Sequence, residues 1–113
     1  APPSRRQRCL PTLDAELMEL LVTYDVDTTT REGERRLRRV AKVCEGYGYR
    51  VQKSVFEIVC NPAQRLLLEA QLLDIIDPDQ DSIRIYHLTR STFRTTRHLG
   101  AAVTPIHDGP MII

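Results

Sequence analysis

One carboxylate in this chain stands where metal chemistry could occur, at the end of an apolar run. Asp25 closes the run MELLVTYD, so it would lie where a buried strand meets solvent. A hard oxygen ligand there can bind Mg²⁺, which keeps several waters and binds proteins through one or two carboxylates. One carboxylate per chain makes a weak site, whereas a two-fold axis would bring two copies of Asp25 together. Spacing alone favours the simpler interpretation, in which Asp25 caps a loop or begins an Asx turn.

The sequence gives little support for disulfides, a zinc site or a catalytic triad built from its cysteines and histidines. The three cysteines are Cys9, Cys44 and Cys60. They are odd in number and far apart, without the spacing of a disulfide framework or a zinc site. We therefore expect reduced thiols and a cytoplasmic protein. All three histidines come late in the chain, and no Ser or Cys stands in a nucleophile-elbow motif, which argues against a catalytic triad.

Arginine is the second chemical signal, and it is unevenly distributed. Residues 31–42 hold six cations against Glu32 and Glu34, and no acid occurs between Ser82 and His107. All but two of the 16 cations are arginines, which suits bidentate contacts with phosphate. A solvated helix face explains any one such stretch equally well.

The length of the chain allows one hydrophobic core. At 113 residues, with 42% hydrophobic and 27% charged residues, the composition is that of a globular domain rather than a disordered chain. We expect residues 1–17 to be a flexible N-terminal extension, 18–99 the domain, and 100–113 a C-terminal tail. No run approaches the roughly 18 apolar residues of a membrane span, so we expect no membrane partner.

The first half of the domain reads as a strand followed by a helix. The run ending at Asp25 favours a buried strand, although residues 13–18 could form a short helix before it. The helix is predicted over Glu32–Glu45, with an inward stripe at i, i+3, i+4 and i+7. This stripe consists of Leu37, Val40, Ala41 and Cys44. Gly46 and Gly48 would end the helix, since glycine accepts a left-handed conformation.

The second half reads as two strands, a helix and a last strand. Arg50–Cys60 is too long for one average strand, so we predict a tight turn or bulge around Lys53 and Ser54. Asn61 followed by Pro62 predicts a helix start, and the helix should run to about Ile76. Its apolar face is predicted to hold Leu66, Leu67, Ala70, Leu73 and Ile76. A turn over residues 77–81 leads into the half-buried strand Ser82–Leu88.

The predicted order, β-α-β-β-α-β, indicates an α+β ferredoxin-like fold with two helices on one face of an antiparallel sheet. Three functions of this fold can be compared with the residues. An RNA-recognition domain would need clustered strand aromatics, of which the third strand offers only Phe56. A metal chaperone would need CxxC, which is missing from the sequence. A small-ligand regulatory domain stays open and predicts no salt-sensitive binding of DNA.

An ordered set of motifs resembles the CRISPR-associated protein 2 family. The set comprises LLVTYD at 20–25, RLRRVAK at 36–42, Tyr47-Gly48 and RVQKSVFE at 50–57. The similarity spans about residues 18–88, and the stretches His98-Leu-Gly100 and 109–113 resemble the I-C branch of that family. Two features depart from the family pattern. Lys53 stands where an aromatic is usual, and residues 1–17 have no counterpart.

The resemblance implies a role for individual residues. Asp25 matches the strand-end aspartate of the family, which is its catalytic and metal-site residue near a dimer axis. The family's basic residue in the first helix matches Arg39, with Arg36 and Arg38 beside it, and the arginine of the second strand matches Arg50. These four would contact nucleic acid. The supporting positions are Tyr24, Ser54 and Phe56, together with the intervening Val55.

The resemblance also implies an assembly and an activity. Members form homodimers in which the C-terminal segment crosses to the partner's sheet, so residues near 92–99 should add a strand to the other protomer. The family pairs with the CRISPR integrase in acquiring new spacers for antiviral defence. The implied activity is a Mg²⁺-dependent endonuclease acting on single-stranded RNA or duplex DNA. The alternative is a catalytically silent, DNA-binding dimeric scaffold that bridges integrase subunits.

Overall fold

The computed structural model describes residues 17–101, and these form four strands and two helices in the predicted order. The elements are β1 (Met18–Asp25), α1 (Arg31–Glu45), β2 (Gly48–Gln52), β3 (Val55–Cys60), α2 (Pro62–Ile75) and β4 (Ser82–Leu88). The strands form one antiparallel sheet in the order β2-β3-β1-β4, so β1 is flanked on both sides. The ferredoxin-like fold is therefore confirmed.

Alternation along the strands divides the sheet into two faces. Leu20, Val22 and Tyr24 of β1 are buried on the face that the helices cover. In the register of the sheet, Leu20 pairs with Ile58 and Val22 with Phe56, so β3 contributes its buried residues to the same layer. Residues between these positions point to the other face. That face carries no helix from the described part of the chain, and we call it the open face.

Helix α1 covers the sheet with the predicted stripe. Val40, Ala41 and Cys44 are buried, and Leu37 is half-buried against the core. The helix begins after Thr30, whose hydroxyl accepts a hydrogen bond from the amide of Gly33 at 3.0 Å. Glu32 and Glu34 in the first turn favour this end of the helix dipole.

The conformation predicted for the end of α1 was wrong. Gly46 caps the helix with φ −73° and ψ −12°, which is right-handed, and its amide donates to the carbonyl oxygen of Val43 at 3.0 Å. The chain passes from there directly into β2, so no left-handed turn is needed. Gly48 is required for space instead, because a Cβ atom there would lie 2.7 Å from Cγ1 of Ile58.

The turn between β2 and β3 lies at Lys53 and Ser54, and the register shifts between Arg50 and Gln52. This confirms the two short strands predicted within Arg50–Cys60. The start of α2 is also as predicted. The side chain of Asn61 accepts from the amide of Gln64 at 2.8 Å, and the Gln64 side chain accepts from the Asn61 amide at 2.9 Å.

The apolar face predicted for α2 was wrong. The residues buried on this helix are Leu68 and Leu72, whereas Leu66, Leu67 and Leu73 are 60%, 54% and 69% exposed. Ala70 is exposed as well, and Ile76 is half-buried at the C-cap. Leucines occur around most of this helix, so their periodicity alone could not select the side that meets the sheet. A row of leucines therefore faces outward.

Cys44 and Cys60 are buried within the core as free thiols. Burial raises the pKa of Cys44 to about 12, against a weaker opposing effect of Arg50. Both residues thus behave as the small hydrophobes that the sequence predicts. Cys9 lies outside the described residues.

The ends of the chain are described only in part. The predicted extension 1–17 and tail 100–113 lie outside the described residues except for Leu17, Gly100 and Ala101. Of the alternative helix at 13–18, only residues 17 and 18 are described, and Met18 belongs to β1. After β4, the Glu19 carboxylate accepts hydrogen bonds from the amides of Ser91 and Phe93, both at 2.9 Å. Within residues 17–101, no helix is long and apolar enough to cross a membrane.

We expect Gly33→Ala to destabilise the domain by about 1–3 kcal/mol, because a new Cβ atom would overlap the backbone carbonyl of Asp27. Gly46→Ala is the matched control. Its Cβ atom would lie 3.3 Å from the Val43 carbonyl oxygen with no closer contact, so a change well below that of Gly33→Ala is expected. Urea unfolding of both variants measures the difference. Equal stability of Gly33→Ala and wild type would show that the loop before α1 can move away.

Candidate functional site

Asp25 is the last residue of β1 and pairs with Ser82 of β4. Strand alternation places it on the open face, in line with Leu21 and Thr23. Its side chain is exposed. The carboxylate is therefore accessible from the side of the sheet that the helices do not cover.

Two neighbouring carboxylates are already engaged in the fold. Asp27 accepts hydrogen bonds from the amide of Thr29 at 2.9 Å and from its hydroxyl at 2.7 Å, and these bonds lower the pKa of Asp27. The side chain of Asp81 is completely buried. Within residues 17–101, no three His, Cys, Asp or Glu side chains are grouped as metal ligands. Asp25 is thus the exposed carboxylate that β1 itself presents on the open face, and each chain supplies one copy of it.

The Asp81 carboxylate accepts hydrogen bonds from three parts of the chain beside the end of β1. Its carboxylate accepts from Nε of Arg36 at 2.7 Å, from the Asp27 amide at 3.0 Å and from the Asp77 amide at 2.9 Å. These donors belong to α1, to the loop after β1 and to the turn before β4. Since Asp81 immediately precedes Ser82, this network fixes the strand end that pairs with Asp25.

Two opposing effects act on the Asp81 carboxyl. Burial would raise its pKa, but the hydrogen bonds from Arg36 and from the amides of Asp77 and Asp27 together lower it below its usual value. The same bond to Asp81 raises the pKa of Arg36. The pair is therefore ionised throughout the neutral range.

The supporting residues predicted from the sequence form a cluster on the covered side of the sheet. The rings of Tyr24 and Phe56 stack with centroids 6.1 Å apart, and the Tyr24 amide donates to the carbonyl oxygen of Ser54 at 3.1 Å. The Tyr24 hydroxyl donates to the carbonyl oxygen of Lys53 at 3.3 Å. Burial raises the pKa of Tyr24, while Arg50 opposes this effect. The cluster supports the backbone that carries Asp25 and does not face the open side.

The four arginines predicted to bind nucleic acid have different environments. Arg36 is held by Asp81, and the guanidinium of Arg50 lies 5.4 Å above the Phe56 ring and 3.5 Å from a carboxylate oxygen of Glu45. Arg38 and Arg39 are exposed on α1. With further residues they line a groove of about 330 Å³ between α1 and α2. The other lining residues are Arg35, Lys42, Val43 and Ile75.

Arg84 and Tyr86 form a pair on the open face that the sequence reasoning did not single out. Nε of Arg84 donates to the Tyr86 hydroxyl at 2.7 Å, and the guanidinium carbon lies 5.3 Å from the ring centroid. Arg84 pairs with Thr23, two residues along the strands from the pair formed by Asp25 and Ser82 and on the same face. The i, i+2 spacing of a polar pair on a half-buried strand was the available signal. The open face thus carries a cation and an aromatic ring in the row that ends at Asp25 and Ser82.

The family model of CRISPR associated protein Cas2 matches residues 18–96. A CRISPR-associated endoribonuclease Cas2 from Rhodospirillum rubrum is 49% identical over 94 residues, which cover 83% of this chain and 99% of that protein. A CRISPR-associated endonuclease Cas2 from Halalkalibacterium halodurans is 42% identical over 95 residues, covering 84% of this chain and 99% of that protein.

Solved structures show the same relationship. Cas2 of Streptococcus pyogenes at pH 6.5 superposes with a TM-score of 0.67 at 49% identity, covering 74% of this chain and 100% of that chain. A chain of a partial Cas6-RT-Cas1–Cas2 complex superposes with a TM-score of 0.57 at 27% identity, covering 73% of this chain and 90% of that chain.

We expect Asp81→Asn to lower the free energy of unfolding at pH 7 by about 1–3 kcal/mol, because the half-buried Arg36 loses its counter-charge and the backbone amides lose a charged acceptor. The pH dependence gives a second readout. The folded pKa of Asp81 lies below the ordinary 3.8, so the unfolded state binds more protons in that window, and stability falls as the pH drops through the folded pKa. Urea unfolding between pH 2 and 7 should show a shallower loss below about pH 4 for the variant than for wild type. Parallel curves would mean that Asp81 has the same pKa in both states.

Proposed function

The chain belongs to the CRISPR-associated protein Cas2 family, and from that premise we propose that it is a metal-dependent endonuclease acting on RNA or duplex DNA. It works with the CRISPR integrase in acquiring new spacers. The observation that carries the nuclease proposal is the placement of Asp25, an accessible carboxylate on the open face beside two carboxylates that the fold already uses.

Magnesium is the metal that we propose for this site. The donor set fits, because Mg²⁺ prefers carboxylate oxygens and keeps part of its water shell, and Asp25 offers a carboxylate open to water. When bound, the cation would supply Lewis-acid stabilisation of charge on the phosphoryl oxygens. Asp25 would hold it, and the network around Asp81 keeps the end of β1 in place for that task.

A homodimer would complete the site. The open face exposes apolar surface, including Val59 at 49% and Tyr86 at 41%, and β2 and β4 are edge strands in the described chain. Such a face and such edges favour association with another sheet. We propose that two copies of Asp25 approach a two-fold axis and that residues near 92–99 add a strand to the partner. Residues 90–95 form hydrogen-bonded turns in the single chain, so this strand would form on association.

The ion pairs within the fold reduce the number of arginines that we propose to contact nucleic acid. Arg38 and Arg39 remain exposed, whereas Arg36 and Arg50 are held by Asp81, Glu45 and the Phe56 ring. We assign the latter two a supporting role. Arg84 is added on the open face, where a phosphate near Asp25 would meet its guanidinium.

A second candidate is the catalytically silent scaffold that binds duplex DNA and bridges integrase subunits. One observation favours it. The cations lining the groove between α1 and α2 lie in the helix layer, on the opposite side of the sheet from Asp25. Similarity to a chain of the partial Cas6-RT-Cas1–Cas2 complex supports the integrase as partner in both candidates.

We expect Asp25→Asn to reduce Mg²⁺-dependent cleavage by at least about 100-fold, because the amide cannot hold the cation as the carboxylate does. Purified full-length protein is incubated with labelled single-stranded RNA or duplex DNA, with Mg²⁺ or with chelator. Asp79→Asn, which removes an exposed carboxylate from the turn before β4, is the matched control and should cleave like wild type.

The outcomes separate the two candidates. Cleavage that survives in Asp25→Asn or in chelator would contradict the nuclease site. Salt-sensitive DNA binding without cleavage by any form of the protein would favour the scaffold. The small-ligand regulatory domain predicts neither cleavage nor salt-sensitive DNA binding.

We expect wild type to be a dimer at micromolar concentration and Val59→Lys to be largely monomeric. The substituted side chain is about half exposed in one chain, so a lysine there leaves the core intact but places a charge within the proposed interface. Light scattering measures the mass, and circular dichroism checks the fold. A folded Val59→Lys dimer would place the interface elsewhere, and a monomeric wild type would overturn the shared site.

A further inference from the structure

The carboxylate of Glu19 holds the backbone of the chain just after β4. Its two oxygens accept hydrogen bonds from the amides of Ser91 and Phe93, both at 2.9 Å, across 72 and 74 positions of sequence. Bonds from backbone amides to a carboxylate are charge-assisted and are about twice as strong as neutral ones. The contact therefore fixes this segment to β1, and we call it the Glu19 clasp.

The segment that the clasp holds is a series of tight turns over residues 90–95, which we call the elbow. The carbonyl oxygens of Ser91 and Phe93 accept from the amides of Thr95 and Thr96, both at 3.3 Å. Ser91 has φ 69°, in the left-handed region that is unfavourable for a residue other than glycine. Such a conformation persists where surrounding contacts hold it, and the clasp provides these contacts.

The elbow lies over one end of the open face. Glu19 pairs with Leu88 of β4 and with Val59 of β3, and strand alternation places its side chain on the same face as Asp25. Residues of the elbow and of the sheet line one concavity there. They are Arg90, Ser91, Arg94, Leu17, Glu19 and Val59. The chain after β4 thus folds back over the open face, on the side from which we propose that the partner approaches.

The elbow and the proposed metal site lie at opposite ends of that face. Glu19 and Asp25 are six positions apart on β1, which corresponds to about 20 Å at roughly 3.3 Å per residue. A change at the clasp therefore leaves the surroundings of Asp25 as they are.

Residues 96–99 follow the elbow and belong to no helix, strand or turn. We call them the arm. Within the part of the chain that the structure describes, the backbone groups of residues 97–99 make no hydrogen bond, and Leu99 is 83% exposed. Unpaired backbone groups and an exposed apolar side chain are what an added strand brings to the edge of a sheet.

We propose that Glu19 is a positioning residue for strand exchange between two copies of the chain. Its clasp stays closed in the dimer, so that the arm leaves the open face in one direction, toward the partner. The inference rests on the proposed homodimer and narrows the exchanged segment from residues 92–99 to the arm. An amide that donates to Glu19 cannot also pair with the partner's strand, which excludes Phe93 from that strand.

A closed clasp strengthens association because the elbow is ordered when the chain folds. A segment that is free before association must be ordered on binding, and that cost lowers the affinity. In the opposite mechanism the clasp would open and residues 92–99 would all extend. That mechanism gives up two charge-assisted bonds and the bonds of the turns before any pair with the partner forms. The structure therefore favours the closed clasp.

Two substitutions disturb the elbow in different ways. Glu19→Gln replaces one accepting oxygen by an amide group that cannot accept, and Ser91→Val places a β-branched side chain at φ 69°. Each should weaken the dimer at least about tenfold in sedimentation equilibrium of the full-length protein. The double variant should be little weaker than either single variant, because both act on one element. Circular dichroism checks the fold.

Each substitution has a matched control. Ser91→Asn should dimerise like wild type, because asparagine tolerates the left-handed conformation. Asp79→Asn removes one exposed carboxylate from the turn before β4 and should also leave the dimer unchanged, which controls for the change in net charge.

Hydrogen exchange measured by NMR distinguishes a clasp that stays closed from one that opens. In wild type, the amides of Ser91 and Phe93 should be protected at protein concentrations both below and above the dimer Kd. The amides of residues 97–99 should become protected only above it. A merely structural role of Glu19 within one chain would not produce this second change.

The outcomes separate this inference from the homodimer on which it rests. Loss of protection at Ser91 and Phe93 in the dimer, or additive weakening in the double variant, would overturn the positioning role. Wild-type affinity in both Glu19→Gln and Ser91→Val would also overturn it and would leave the homodimer standing. A wild type that stays monomeric would instead contradict the homodimer itself, and the positioning role with it.

Discussion

A buried carboxylate that must satisfy several donors is the constraint on which this end of the molecule depends. Asp81 sits at the junction of the loop after β1, helix α1 and the turn before β4, and it accepts hydrogen bonds from all three. Each of these donors would be costly to leave unpaired in a shielded site. The network therefore specifies how β4 enters the sheet, and through the pairing of Ser82 it specifies where Asp25 lies.

The two-residue period of the strands determines which side chains lie on each face of the sheet. Leu20, Val22 and Tyr24 take the covered face, so Asp25 falls on the open face together with Arg84 and Tyr86. Exposed cations of α1 belong to the helix layer on the other side; they are Arg35, Arg38, Arg39 and Lys42. A ligand bound to these cations is therefore separated from Asp25 by the thickness of the sheet. A ligand of Asp25 and a ligand of these cations would thus occupy different faces of one small domain.

Signals from neighbouring residues predicted the fold. The features that the sequence did not predict depend on packing between distant parts of the chain. The cap at Asn61, the stripe on α1 and the order of elements follow from neighbouring residues alone. The proposal of Asp25 as a metal-site residue comes from its place at a strand end and from the family resemblance. The bond between Arg36 and Asp81 joins residues 45 positions apart, so no spacing rule separates Arg36 from its exposed neighbour Arg38. The sequence likewise could not determine which leucines of α2 face outward, because most of that helix is apolar.

The exposed apolar side chains on both layers indicate that a single chain does not bury all of its apolar residues. A domain of this size covers a modest part of its surface by folding, and association with partners covers more. The open face exposes Val59 and Tyr86 and has unpaired strand edges beside it in the described chain, which suits a second sheet. The helix layer also exposes leucines of α2, and on the same layer α1 carries exposed cations. A symmetric contact through α1 would bring like charges together, so the open face is the better candidate for a contact between two copies.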